Sequence, residues 1–119
     1  MKYDIKKQLR SFKYAWCGFR KCALSEQNLC FHLAVTVLVI AAGFAFGITR
    51  TEWLFIILCI GMVIAAELIN TAIEKVVDLA SPERHPLAGQ AKDIAAAAVL
   101  VCAIMAIIIG LIIFVPYII

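Results

Sequence analysis

Three carboxylates, Glu67, Glu74 and Asp78, stand where a long apolar run ends, in the stretch Glu67-Leu-Ile-Asn70-Thr71-Ala-Ile-Glu74-Lys-Val-Val-Asp78. At about 100° per residue, Glu67, Thr71, Glu74 and Asp78 fall within about 60° of one another on a helix, and Asn70 flanks the same stripe. One face then carries oxygen ligands, while Leu68, Ile69, Ile73 and Val76 suit lipid or neighbouring helices. Ionisable groups at membrane depth are functional candidates, because even lenient insertion scales charge about 2.5–3.5 kcal/mol for one at the bilayer centre. Such a stripe can handle a divalent cation, a phosphate or a proton. Hard carboxylates, few in number, suit Mg²⁺, which is held by one or two carboxylates plus substrate phosphates.

The elements that must position this stripe follow from composition. The chain has 119 residues, 65% of them hydrophobic, with a mean hydropathy of +1.00. A soluble domain uses about 45–50% apolar residues, so a water-soluble monomer is excluded. Apolar runs over residues 29–48, 53–75 (carried through the stripe) and 93–115 each match the ~20 residues that cross ~30 Å of hydrocarbon. The expected fold is therefore an all-α membrane protein, one domain with three transmembrane helices. A cleaved signal peptide does not fit the first run, which follows a charged leader and exceeds the usual ~7–15 apolar residues.

Residues 1–28 read as a surface helix and turn. Ile5, Leu9, Phe12, Trp16 and Phe19 recur at helical spacing, and Lys6, Arg10, Lys13, Arg20 and Lys21 fill much of the remainder. That pattern lies in a membrane interface, with Tyr14 and Trp16 at headgroup depth. Seven of the eleven Lys and Arg residues precede the first run, and only Arg50 lies between the first two. The positive-inside rule then puts the N-terminus in the cytoplasm. The segment 79–92, with Pro82, Pro86 and Gly89, reads as a cytoplasmic loop. Gly43-x-x-x-Gly47 permits close approach of a second helix. The five cysteines include no C-x-x-C, and together with His32 they fit no familiar zinc spacing.

Depth divides the stripe. Glu67 lies 14 residues past Trp53, about 21 Å along a helix axis, and Glu74 about 10 Å further, at headgroup level. Glu26, at the cytoplasmic end of the first span, stands at the depth of Glu74 and is the second candidate metal ligand. Lys92, opening the third span, can neutralise a phosphate. No Walker-type or G-x-G-x-x-G loop occurs, so a nucleotide would need a non-standard site. These groups suit metal-assisted phosphoryl transfer, with Glu67 accepting a proton from an alcohol. The competing readings are a small ion-coupled transporter using Glu67, a membrane anchor, and acids that merely hold helices together.

The residues also resemble a known family, the small integral-membrane prokaryotic diacylglycerol kinases with their undecaprenol kinase branch. The likeness rests on Glu67-Leu-Ile-Asn70-Thr-Ala-Ile-Glu74-x-Val-Val-Asp78, His85-Pro-Leu, and Ala91-Lys92-Asp93-x-Ala-x-Ala-Ala-Val. Phe12-Lys-Tyr14-Ala-x-x-Gly18 and Ser25-Glu26-x-Asn28-Leu extend it into the leader, so that it covers nearly the whole chain. The resemblance implies a homotrimer in a bacterial inner membrane, with active sites between protomers. There MgATP would phosphorylate a lipid hydroxyl, diacylglycerol or undecaprenol, and no nucleic acid is involved. It implies Glu67 as catalytic base and Glu26 and Glu74 as metal ligands. Tyr14, Glu83, His85, Lys92 and Asp93 join those two ligands at the nucleotide. Lys7, Arg10, Trp16, Asn70 and Glu67 stand near the lipid. Cys30 in place of a frequent Arg, and Ala96-Ala97 in place of Gly-Ser, leave the acceptor open, and the Ser-Pro-Glu-x-His-Pro-Leu loop looks more like the undecaprenol branch.

Overall fold

The structure, a computed structural model, describes residues 2–119. It consists of four helices: α1 (Ile5–Ser25), α2 (Gln27–Phe46), α3 (Arg50–Ala80) and α4 (Pro86–Ile118). The last three are long and apolar enough to cross a membrane. The expected all-helical architecture, a leader helix followed by three spans, is thus present.

Each helix boundary has a local cause. The Asp4 carboxylate accepts the Lys7 amide at 3.2 Å and starts α1. Only Cys22 of α1 is buried, and Leu9, Phe12 and Trp16 are exposed, as a helix meant for an interface requires. Glu26 breaks the chain between α1 and α2 by adopting an extended conformation (φ −106°, ψ 115°). Gly47 ends α2 in the left-handed region (φ 63°), where only glycine is at ease. Of the two glycines expected to serve helix approach, then, Gly43 does so against Trp53, while Gly47 terminates the helix.

Helix α3 begins before the expected position 53 because Thr49 and Glu52 form a reciprocal capping box, with bonds of 2.9 and 3.2 Å. It continues through the acidic stripe to Ala80. The loop expected over 79–92 is correspondingly short. His85 Nδ1 accepts the Leu87 amide at 3.1 Å and Pro86 occupies the first helical position, so the proline opens α4 where it was read as a breaker. Residues 86–92, Gly89 among them, are helical. Pro116 lies inside the last turn of α4.

By their 31 and 33 residues, α3 and α4 are about 46 and 50 Å long, well beyond the ~30 Å of hydrocarbon. They pack antiparallel along their length and are tied at both ends. Lys92 pairs with Asp78 at one end, and the Tyr117 hydroxyl donates to Glu52 at the other. Helix α2 lies against α3 more lightly. The apolar core is at the end bearing the α2–α3 turn, where Ile48, Ile56 and Ile113 are buried beneath Trp53, Ile60, Ile109 and Phe114. Leu38, Phe44 and Ile112 remain exposed, which suits a surface wetted by lipid.

Candidate active site

The opposite half of α3 has the reverse character: its buried side chains are polar. Glu67 is 3% exposed, Asn70 5% and Thr71 5%. They lie on one face because positions three and four apart on a helix are neighbours. The same face carries Glu74, half-buried, whose Oε1 accepts the Asn70 amide Nδ2 at 3.2 Å. That bond orients Asn70 and leaves its Oδ1 buried without a partner. A buried acceptor of this kind calls for a donor from outside the chain.

Helix α2 supplies the group that faces Glu67. His32 Nε2 stands 3.7 Å from Glu67 Oε2. The composition and spacing of the first apolar run gave His32 no role. Its only signal was a titratable ring in an otherwise uncharged span, and its importance comes from the antiparallel register of α2 on α3. The same register fixes the level of Glu26. Six residues separate it from His32 and seven separate Glu74 from Glu67, so both acids stand about 9–10 Å toward the same end. Glu26 is half-buried, and its side chain makes no cap bond to α2, which leaves its oxygens available.

Beyond Glu74, α3, the 81–85 turn and the start of α4 enclose a cavity of about 440 Å³ lined by Asp78, Ser81, Glu83, Arg84, His85 and Lys92. Three of the expected nucleotide-side residues, Glu83, His85 and Lys92, therefore share one site, with Lys92 held by Asp78. Asp93 is adjacent to Lys92 on α4 and exposed. The leader residues are not brought to the stripe. Lys7, Arg10, Tyr14 and Trp16 are exposed on α1, where Trp16 stacks on Phe19.

Among the described residues, no three His, Cys, Asp or Glu side chains converge on a common point. Two carboxylates at one level, one of them oriented by Asn70, fit a magnesium ion that completes its shell with phosphate and water. They do not fit a self-sufficient metal cage. A second cavity of about 510 Å³ lies between α2, α3 and α4, with His32 and Thr36 among walls otherwise made by residues such as Ile56, Cys59, Gly110 and Phe114. Chain-like apolar matter fits that cavity, and a hydrated ion does not.

Comparison with known proteins shows the family. Residues 13–114 match the family model described as prokaryotic diacylglycerol kinase. The chain is 43% identical over 113 residues to an undecaprenol kinase of Bacillus subtilis, covering 95% of this chain and 92% of that one. It is 40% identical over 103 residues to a diacylglycerol kinase of Synechocystis, covering 86% of this chain and 59% of the longer relative. With a diacylglycerol kinase of Escherichia coli K12 it shares 30% over 100 residues, 84% and 82% of the two chains. The family match and the acid stripe on a membrane helix together place the chain in the prokaryotic diacylglycerol kinase family.

Proposed function

We propose that this protein uses the α3 stripe to transfer the γ-phosphate of ATP to the hydroxyl of a membrane lipid. The observation that carries the reading is Glu67, a carboxylate 3% exposed at membrane depth, one turn from Asn70 and two from Glu74. Family membership supports a lipid kinase over an ion-coupled transporter.

Glu67 accepts the proton of the lipid hydroxyl as the alcohol oxygen bonds to the γ-phosphorus. The bond from that phosphorus to the bridging oxygen breaks, and ADP leaves. The buried Asn70 Oδ1 is available to a donor other than that hydroxyl, whose single hydrogen goes to Glu67. Glu74, fixed by Asn70, and Glu26 at the helix break are the residues that would hold Mg²⁺. Bound there, the ion would neutralise charge on the transferred phosphate. Lys92 offers a cation to the phosphates, and Glu83, His85 and Asp93 stand at or beside the same cavity mouth. Tyr14 approaches the nucleotide, and Lys7, Arg10 and Trp16 meet headgroups, only if α1 lies along the interface beside the site. A second protomer meets that need. Within one protomer the leader residues are exposed on α1, which favours a homotrimer with shared sites. The cation-rich leader favours a cytoplasmic N-terminus in a bacterial inner membrane.

For the acceptor, we favour a polyprenol over diacylglycerol. This rests on the 43% identity to an undecaprenol kinase and on the Ser81–Leu87 loop. Purified protein in nanodiscs, given γ-labelled MgATP with diacylglycerol and undecaprenol side by side, tests both levels. Label in undecaprenol supports the full reading, label in diacylglycerol alone reverses the acceptor, and label in neither removes the kinase assignment.

A further inference from the structure

His32 has no part in the chemistry above, yet it is the basic group within 4 Å of Glu67 among the described residues. Each turnover leaves a proton on Glu67, and that acid is 3% exposed. The carboxylate must be regenerated before another alcohol can be deprotonated. A route to water is therefore as necessary as the base itself. The His32 side chain is 19% exposed against 4% for that of Glu67, so the ring is the less buried of the two. His32 also lies six residues past Glu26, about 9 Å from that interfacial break.

We propose that His32 is a positioning residue for Glu67 and the outlet for the proton it collects. The neutral ring, with its hydrogen on Nδ1, presents the Nε2 lone pair to the Glu67 carboxyl. The proton passes from Glu67 Oε2 to His32 Nε2, which restores the carboxylate and forms an imidazolium. The imidazolium then releases one proton to interfacial water. The 3.7 Å separation exceeds a hydrogen bond, and catalytic pairs commonly tighten when substrate is bound. His32 also borders the apolar cavity between α2, α3 and α4.

Few other groups compete for this proton. On α2 the nearest titratable neighbours are Cys30 and, six residues back, Glu26. On α3 they are Glu67, Glu74 two turns further, and Cys59 in the cavity wall. On α4 no charged side chain follows Asp93, leaving Cys102 and the distant Tyr117, and α1 contributes the buried Cys22.

This inference rests on Glu67 being the base, and the experiment separates the two. Initial rates against pH, in nanodiscs, compare the wild type with Glu67→Gln, His32→Ala and His32→Gln. Glu67→Gln that retains full activity would sink the base assignment and the inference with it. If Glu67→Gln is inactive, His32→Ala is expected to lose roughly 10- to 100-fold in kcat, within what acid–base steps supply. KM for MgATP should stay within about two-fold, and added imidazole should restore rate to His32→Ala but not to Glu67→Gln. His32→Gln, which can orient Glu67 but carry no proton, should keep KM and stay slow. Wild-type kcat and pH profile in His32→Gln would overturn the proposal, as would a slow, folded His32→Ala that imidazole does not rescue. If His32→Ala fails to fold, the kcat and pH profile of His32→Gln decide alone.

Discussion

The two halves of the α3–α4 hairpin are built on opposite rules. At the α2–α3 turn the interior is apolar, with Ile48, Ile56 and Ile113 packed under Trp53 and Phe114, and Gly43 leaves room for the indole. At the other end Glu67, Asn70 and Thr71 are buried, and one of their polar atoms lacks a partner within the chain. Apolar packing is satisfied by the chain itself. An orphaned amide oxygen is satisfied only by something that arrives. On the proposed function, stability is concentrated at one end and chemistry at the other, and substitutions at the two ends should fail in different ways.

The sharpest break is Glu67→Gln, which keeps shape and removes the charge. Phosphoryl transfer should fall about 10²- to 10⁴-fold, while the helical circular dichroism and thermal midpoint hold. A fall in midpoint with activity intact would invert the division of labour. Next comes Asn70→Leu, which frees Glu74 from its 3.2 Å anchor. Loss of such a supporting bond commonly costs about 10–100-fold in metal affinity or activity. The Mg²⁺ concentration for half-maximal rate should rise accordingly, and an unchanged Mg²⁺ titration would remove Glu74 from the metal site.

The apolar end should respond only in stability. A Cβ at Gly43 would lie 2.6 Å from Trp53 Cη2 and 2.8 Å from Cζ2, and that ring is already wedged 5.0 Å from Phe44. Gly43→Ala should destabilise by about 1–3 kcal/mol, read as a lowered unfolding midpoint in detergent, with kcat per folded molecule unchanged.

The smallest effect belongs to the interfacial tie. The Tyr117 hydroxyl, and after it the Thr49 amide, hold the Glu52 carboxyl below its usual 4.5. A depressed folded value stabilises above the unfolded value and is lost as pH falls through the folded one. Unfolding midpoints measured from pH 6 to pH 3 should therefore drop on the acid side, and less so in Tyr117→Phe. Identical acid limbs would show that the tie contributes nothing. At alkaline pH the sign reverses for Tyr117, raised from 10 by Glu52, whose contribution fades above that value.

Much of this was legible in the residues. Length and hydropathy gave three spans, and the 3.6-residue period put Glu67, Asn70 and Glu74 on one side of α3. Local chemistry with two meanings was harder. Pro86 stops a helix or opens one, and only the His85 cap decided for opening. Gly47 was read as a packing glycine and is a terminator. Register between helices has no local signature at all, so the approach of His32 to Glu67 and the pairing of Lys92 with Asp78 emerged only from the fold.

The break at Glu26 has a mechanical side. This residue belongs to neither the surface helix nor the span, so its position follows the angle between them. Helix α2, with 20 residues, is about 30 Å long and matches the hydrocarbon with nothing to spare. A thicker or thinner bilayer must tilt it or draw α1 in or out of the interface. Either motion slides Glu26 past Glu74, which is anchored on the longer α3. On the proposed metal role of the two acids, membrane thickness would set their spacing, and assays across lipids of stepped chain length are expected to show a shift in Mg²⁺ requirement.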